Sequence, residues 1–479
     1  MWDPNPDRDA ARTLGRALRE ARYTGRAVED LLGDEGLAAD LAESVVFARR
    51  LGDDLTSTTI RLLLLNRPVP RAAFPAAEAL LTLGLATEEE GLLVPRARIV
   101  PTEGIYLTFD TFSHGLDDPE GWVASFSPTA YWLASLTVRR HARRALDVGT
   151  GNGAHALLAA RHADHVVATD INPRALAFTE ISAALNGVEH VETRLGSFFE
   201  PVAGETFDLI TCNAPYVISP ERRWQYRDAG LPGDEVSRRV VTDAAAHLAD
   251  GGFASMLVSW LAESEDEPDE HVFEWVEANG CDAWILGLSG SDPVDHAAGW
   301  NEHLSTEPER YDEAIADWER YFAELGAGWI TEGAVVLHRR PGDHHIARAD
   351  TADEDELEFA SDQIQRVFAA LEELAVHGES VLERPLRLAA DVHFDQELDR
   401  TGAVTSTLLV LDEGTCPDVE LGLETAEALT ALDGATTLEQ AVQRVARREE
   451  LTRREAAELR DDVFGLARDL LEQGILELV

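Results

Sequence analysis

The chain predicts an α/β fold, with a Rossmann-like, doubly wound sheet in its middle and helical, winged-helix-like domains at its amino and carboxyl ends. Three observations carry this. An apolar strand from Arg144 to Val148 runs into the glycine turn Asp147-Val148-Gly149-Thr150-Gly151-Asn152-Gly153, and out into a helix through Ala154-His155-Ala156-Leu157-Leu158. A second apolar strand, His165 to Thr169, ends in Asp170. A third, Phe207 to Cys212, ends in Asn213-Ala214-Pro215-Tyr216.

Each piece has a chemical reading. Glycine has no β-carbon, so Gly149, Gly151 and Gly153 can bend the backbone and let its amides approach a nucleotide-like ligand. Asp170 stands about twenty residues beyond the loop, where an acid in a doubly wound sheet accepts hydrogen bonds from ribose hydroxyls. A nicotinamide dehydrogenase shares that pattern, and a glycine fingerprint alone does not decide between the two. Asp147, ahead of the first glycine, can organise the turn and help hold a cationic aminoacyl group. Asn213-Ala214-Pro215-Tyr216 lies at a strand's carboxyl end, where open α/β sheets place their chemistry. An amide or exocyclic amine is a poor nucleophile because its lone pair is delocalised. The Asn213 side-chain oxygen and the Ala214 carbonyl can accept its two N–H groups, Pro215 can fix the backbone, and Tyr216 can offer an aromatic wall. The bland alternative is a strand-ending turn in which Asn and Pro punctuate and Tyr packs.

Along the chain, helices are expected at Ala10 to Arg22, Arg26 to Leu32 after a Thr24 cap, Thr56 to Leu65, and Ala73 to Leu83. Leu85 to Glu90 then turns at Gly91 into Leu92-Leu93-Val94, with Ile99-Val100 and Ile105-Tyr106-Leu107 beyond, an order like that of a winged helix. Ser127 and Pro128 start a helix through Trp132-Leu133-Ala134, with cap and first-turn proline in their preferred places. Phe253 to Trp260 is a strand, Glu263 to Glu270 a solvated loop or helix start, and Ala334 to His338 a last strand. The polar, acidic run from Pro341 to Glu358 reads as a linker. In the tail, Thr437 with Gln440 and Thr452 with Glu455 form capping boxes, and Gly474 closes the last helix before Ile475 to Leu478. The divisions expected are 1–115, 116–340, a linker at 341–360, and 361–479.

These residues carry a family resemblance. From about Phe126 to Trp260 the chain resembles the class I S-adenosylmethionine-dependent methyltransferases, in the small-domain branch that holds the release-factor glutamine and ribosomal RNA guanine amino-group N-methyltransferases. Val217-Ile218-Ser219-Pro220 and the run from Tyr226 to Asp234 look like a large actinobacterial type. The resemblance implies S-adenosylmethionine as cofactor. It implies that Asp147, Gly149, Thr150, Gly151, Asn152 and Gly153 line that cofactor, with Asp170 on its ribose and Ile171 beside it. In Gly196-Ser197-Phe198-Phe199-Glu200-Pro201, Ser197 and Phe198 fall near the adenine, and relatives often have an acid where Ser197 stands. Asn213, Ala214, Pro215 and Tyr216 would form the catalytic motif. The first proline of that motif is here Ala214, which keeps the carbonyl and loosens the backbone.

Composition bounds the acceptor. Acids outnumber bases 89 to 41, for a formal net charge of −48, and the sequence contains no lysine. Non-specific nucleic-acid affinity comes from cations that neutralise phosphate, so the balance disfavours DNA and tips the acceptor toward a protein or peptide over RNA. Arg139 to Arg144, and the mixed cation–aromatic run with Arg222, Arg223, Trp224 and Tyr226 beside the motif, are local exceptions. The latter, with Tyr216, is the expected substrate contact, suited to bases or to an acidic peptide. A small-molecule or peptide natural product as acceptor, a non-catalytic cofactor-binding scaffold, and a homodimer stay open. Cys212, Cys281 and Cys416 are scattered, which indicates neither a disulfide framework nor a metal site. With no apolar run of membrane length and a polar amino terminus, a cytoplasmic protein is expected.

Overall fold

The computed structural model describes residues 3–33, 36–37, 43–111, 121–221, 231–277, 279–342, 345–353, 357–416 and 418–479. Its centre is an eight-stranded sheet made of β1 (Ala142–Val148), β2 (Ala163–Asp170), β3 (Val191–Leu195), β4 (Phe207–Asn213), β5 (Leu248–Ala262), β6 (Asp282–Ser291), β7 (Trp329–His338) and β8 (Ala347–Thr351). In space the order is β8-β6-β7-β5-β4-β1-β2-β3. The run from β3 to β5 is parallel, and β7 lies antiparallel between β5 and β6. Strand order therefore reverses at β1, whose neighbours are β2 on one side and β4 on the other. At such a switch point the connecting loops diverge and leave a crevice at the strands' carboxyl ends.

The helices that matter for that crevice are α1 (Pro128–Ser135), α2 (Ala154–Ala159), α3 (Pro173–Asn186), α4 (Glu235–His247), α5 (Glu270–Val276), α6 (Pro293–Trp300) and α7 (Pro308–Leu325). Ser127 caps α1 by accepting the Ala130 amide, with Pro128 in the first turn. Asn172 and Pro173 start α3 in the same way, and Gly187 ends it in a left-handed cap. Strands β1, β2 and β4 read as nearly continuous apolar runs because both faces are covered. Val166, Ile210, Cys212 and Ala168 are all fully buried.

The amino-terminal residues are not a loose appendage. Helix Arg8–Glu20 lies against α3 so closely that a β-carbon on Gly15 would fall 2.1 Å from the Leu185 carbonyl oxygen. Strand Ile105–Asp110 bonds to side chains of the same helix. The Thr108 amide donates to Ser182 Oγ at 3.0 Å, and Asn186 accepts from the Tyr106 amide at 2.9 Å while donating back to its carbonyl at 2.8 Å. The hairpin Ala86–Glu89/Leu92–Pro95 turns on Glu90 and Gly91, both at positive φ, as a two-residue turn of this hand requires.

At the other end, helix Ser361–His377 packs on the sheet through Phe368, 6.0 Å from the Phe253 ring and 5.5 Å from that of His338. Both tail capping boxes are formed reciprocally, Thr437 with Gln440 and Thr452 with Glu455. The stretch expected as a linker contributes β8, paired parallel to β6. Its alternating Arg348, Ala349 and Asp350 hid the strand, because only one edge is paired. Arg348 and Asp350 form an ion pair there, and Asp350 accepts the Trp284 indole N–H at 2.7 Å. Among the described residues no helix is long and apolar enough to cross a membrane.

Candidate active site

The glycine turn forms a cradle. Gly149, Gly151 and Gly153 have φ of 70°, 55° and 86°. A β-carbon on Gly151 would meet nothing within 4 Å, and one on Gly149 only the Asn213 carbonyl oxygen at 3.9 Å. Gly153 is glycine for a second reason, since a β-carbon there would strike Thr179 on α3 at 2.9 Å. The cradle opens directly beside the end of β4.

Asp147 organises this turn from below. It is 1% exposed, and its carboxylate accepts from Thr150 Oγ1 at 2.7 Å, Thr211 Oγ1 at 2.9 Å and the Ala156 amide at 3.1 Å. Loop, helix α2 and strand β4 are thereby tied to one buried anion. Asp170 holds the outer rim, accepting from the Gly151 amide at 2.9 Å and the Asn172 amide at 2.8 Å. Burial raises its carboxyl above the usual range, while those amide donors pull it back down. Beside it Ile171 is 53% exposed, an apolar surface at the mouth of the crevice.

Ser197 and Phe198 sit on the neighbouring rim. The Gly196 amide donates to the Asp170 carbonyl at 3.0 Å, and Thr169 Oγ1 donates to that of Phe198 at 3.2 Å. Phe198 takes φ of 46°, a strained value for a bulky residue, with Arg239 over its ring at 5.2 Å. Asn152 and Asn172 reach from the cradle to a crossing segment, where their side-chain amides donate to the carbonyls of Ala124 at 3.0 Å and Gly121 at 3.2 Å. Sequence reasoning missed what anchors that segment. Asp110 accepts the Val123 amide at 3.1 Å and a two-pronged contact from Arg174, at 2.8 and 2.5 Å, in an almost fully buried pair. Residues 64 apart in the chain carry no local signal of such a pairing.

At the end of β4, Asn213 is half-buried, and among the described residues no hydrogen bond occupies its side-chain amide. Ala214 is buried. Tyr216 is 8% exposed, with Thr129 at the start of α1 beside its phenol and its carbonyl accepting from Ser259 Oγ. Burial and the nearby Glu332 carboxylate push that phenol well above its ordinary value, so it stays protonated. Little of the ring is left exposed for stacking. Arg222, Arg223, Trp224 and Tyr226 lie outside the described residues. Of the basic run that leads into β1, Arg144 is engaged by Glu205 and Arg140 by the Gly251 carbonyl, while Arg143, 3.6 Å from Asp208, stays exposed.

A reversal of strand order at the cradle, an amide motif one strand away and an antiparallel hairpin closing the sheet define a class I S-adenosylmethionine-dependent methyltransferase. Comparison with known proteins narrows this. Residues 127–266 match the family model described as methyltransferase small domain. A release factor glutamine methyltransferase of Cereibacter sphaeroides is 34% identical over 231 residues, covering 45% of this chain and 78% of that protein. One from Xylella fastidiosa is 35% identical over 130 residues, covering 25% and 47%. A ribosomal protein uL3 glutamine methyltransferase of Bradyrhizobium diazoefficiens is 31% identical over 167 residues, covering 31% and 51%. In most such alignments the chain spans about half the length of the curated relative. The chain belongs to the small-domain branch of the class I methyltransferases that includes the release factor glutamine methyltransferases.

Proposed function

We propose that this protein transfers a methyl group from S-adenosylmethionine to the side-chain amide nitrogen of a glutamine in a protein. The observation that carries the reading is the Asn213 amide, without an internal partner among the described residues, at a strand end whose backbone carbonyl lies 3.9 Å from where a β-carbon on Gly149 of the glycine cradle would stand. The relatives named above, both kinds of them glutamine methyltransferases, supply the acceptor class.

The cradle fits the donor on its own terms, because two of its glycines leave open the space a side chain would fill. Asp170 would hold the ribose, with Ile171, Ser197 and Phe198 around the base, and buried Asp147 would favour the cationic end through its charge. When bound, the donor supplies a methyl carbon on a positively charged sulfur. Asn213 Oδ1 and the Ala214 carbonyl each accept one N–H of the substrate NH2. That pair of bonds fixes the nitrogen's orientation and resists the planar geometry in which its lone pair is delocalised. As the new C–N bond forms the methyl–sulfur bond would break, leaving S-adenosylhomocysteine; the nitrogen becomes acidic, the same oxygens accept its polarised N–H groups, and its surplus proton passes to solvent, so no strong base is required before attack. The contribution is orientation and fixed dipoles. Pro215 and the Ser259 bond to the Tyr216 carbonyl hold the motif still.

Residues 116–340 are taken as the catalytic unit, with 1–115 and 361–479 as winged-helix-like modules packed on it. A protein acceptor of this kind would place the enzyme in the cytoplasm. The test is transfer of labelled methyl to extract from cells lacking the gene, separated into protein and RNA. Label should enter protein, with the added methyl on a glutamine side chain. Label confined to RNA would reject the reading.

A further inference from the structure

Residues 358–361, where the stretch expected as a linker ends, reach back to helix α1 and fasten it. The Ala360 amide donates to the carbonyl of Ser135, the last residue of α1, at 2.9 Å. Just beyond, the Arg139 amide donates to Ser361 Oγ at 2.8 Å. Phe359 meets two side chains from the α1 region. The Arg139 guanidinium stands 3.8 Å over its ring, and the Tyr131 ring centroid is 5.6 Å away. Tyr131 also donates its hydroxyl to Glu358 at 3.3 Å.

At its other end α1 meets the acceptor side of the site. The helix packs against β4 and β5, and Thr129 in its first turn lies beside the Tyr216 phenol and 2.8 Å from Ser127 Oγ. The glycine cradle is anchored separately, to residues 121–124 through Asn152 and Asn172, with Asp110 holding that segment. Residues 358–361 are themselves fixed to the carboxyl-terminal module. The Glu358 amide donates to the Gly414 carbonyl at 3.0 Å. Buried Gln363 accepts the Thr415 amide at 2.9 Å and donates to the Gln473 carbonyl at 3.0 Å. A continuous set of contacts therefore runs from that module through Phe359 and α1 to the end of β4, and a cation over an aromatic face gives it a directional joint.

We propose that Phe359 is a positioning residue for the methyl acceptor: held by Arg139 and Tyr131, it fixes α1 and thereby the Asn213-to-Tyr216 motif on which α1 packs, while the glycine cradle keeps its own anchors. The inference rests on that motif receiving the acceptor nitrogen. In this arrangement the carboxyl-terminal module is part of the acceptor side of the enzyme, because it holds the residues that hold α1.

The test is amide hydrogen exchange, read by mass spectrometry on the full chain saturated with S-adenosylhomocysteine. Phe359→Ala should speed exchange about five- to tenfold across α1 and the motif, as loss of a contact of this kind allows local opening, and leave residues 149–156 of the cradle within about twofold of wild type. Phe359→Tyr, which keeps the ring, should restore the wild-type rates. Arg139→Met, a milder change at an exposed residue, should give the same pattern at a smaller size. Phe464→Ala is the control: it removes a similar contact, with Arg460 at 4.4 Å, inside the carboxyl-terminal module, and should leave α1 unchanged. Wild-type exchange of α1 in both Phe359→Ala and Arg139→Met, an equal rise in Phe464→Ala, or a rise in the cradle as large as that in α1 would overturn the proposal. Methyl transfer to the protein fraction of extract from cells lacking the gene is measured on the same preparations. The amount of that fraction needed for half-maximal rate should rise about fivefold in Phe359→Ala, with S-adenosylmethionine affinity within about twofold of wild type. A loosened α1 with no such rise would make the contact structural only and also overturn the proposal. Wild-type enzyme that methylates no protein rejects glutamine as the acceptor, and the exchange rates then decide the role of Phe359 alone.

Discussion

Replacing Asp147 tests whether one buried carboxylate holds the cradle in shape. Its Oδ2 accepts from Thr150 Oγ1 and the Ala156 amide, and its Oδ1 from Thr211 Oγ1. Asparagine has the same shape but only one acceptor oxygen. With its NH2 at the Oδ2 position it would face the Ala156 N–H, donor against donor. Turned the other way, the NH2 meets only the Thr211 hydroxyl, which can rotate to accept. Asp147→Asn therefore keeps two bonds in neutral form and reverses the third. Hydrogen bonds to a charged acceptor contribute about 1.5–3 kcal/mol each and neutral ones about 1 kcal/mol, so the net loss should be about 2 kcal/mol. Asp147→Ala strands the Ala156 amide in a dry site and opens a small cavity, for a loss of about 4 kcal/mol. At about 2–4 °C per kcal/mol for a domain of this size, Tm should fall by roughly 4–8 °C for Asn and about twice that for Ala. Thermal unfolding followed by circular dichroism, with donor affinity from calorimetry, gives both readouts. Donor binding should survive in Asn and collapse in Ala. Asp147→Ala behaving like the wild type, or Asn proving worse than Ala, would refute the argument.

Asp170→Ala removes the acceptor for the Gly151 and Asn172 amides as well as the proposed ribose contact, so S-adenosylmethionine affinity should drop by about tenfold or more, with Tm lowered by a few degrees; calorimetry showing unchanged affinity would place the ribose elsewhere. Stability should also depend on pH through His338, which is stacked at 4.3 Å on Phe253 and held down to about 4 from 6.5, chiefly by burial, with Arg140 and Arg340 adding to the shift and Asp282 opposing it. The unfolded chain then binds the proton at a higher pH than the folded one. Stability should be full above about 6.5 and be lost as the pH falls toward about 4, and denaturant titrations should show a flatter profile for His338→Phe. His155 is shifted downward by burial too and should leave a residual slope in that variant; an unchanged profile would exclude His338.

Much of the site was legible because its signals are local. The glycine turn, Asp170 and Asn213-Ala214-Pro215-Tyr216 each depend on backbone demands that few residue types meet. The same holds for the caps at Ser127, Thr437 and Thr452. What escaped is what long-range packing decides. The buried Asp110–Arg174 pair and the Glu332–Trp300 contact join residues far apart in sequence with no periodic signature. Strand β8 was hidden because Arg348 and Asp350 on a sheet edge look like a solvated linker. Tyr216 reads in the sequence as a substrate contact, but its ring is buried beside Thr129 with only 8% of the residue exposed. The helix expected from Thr56 to Leu65 starts as α-helix at Leu55–Thr59 and widens into a π-turn over Ile60–Leu64, a register change that apolar periodicity cannot distinguish.

The central claim is that Asn213 orients the nitrogen that receives the methyl group. Single-turnover transfer to a glutamine-containing protein acceptor by Asn213→Ala, with S-adenosylmethionine affinity measured on the same preparation, tests it most directly. The account predicts a rate lower by about a hundredfold or more, the usual cost of losing an oriented hydrogen-bonding group at a reacting centre, with donor affinity within about threefold of wild type. A variant that binds the donor normally and still transfers at the wild-type rate would contradict it.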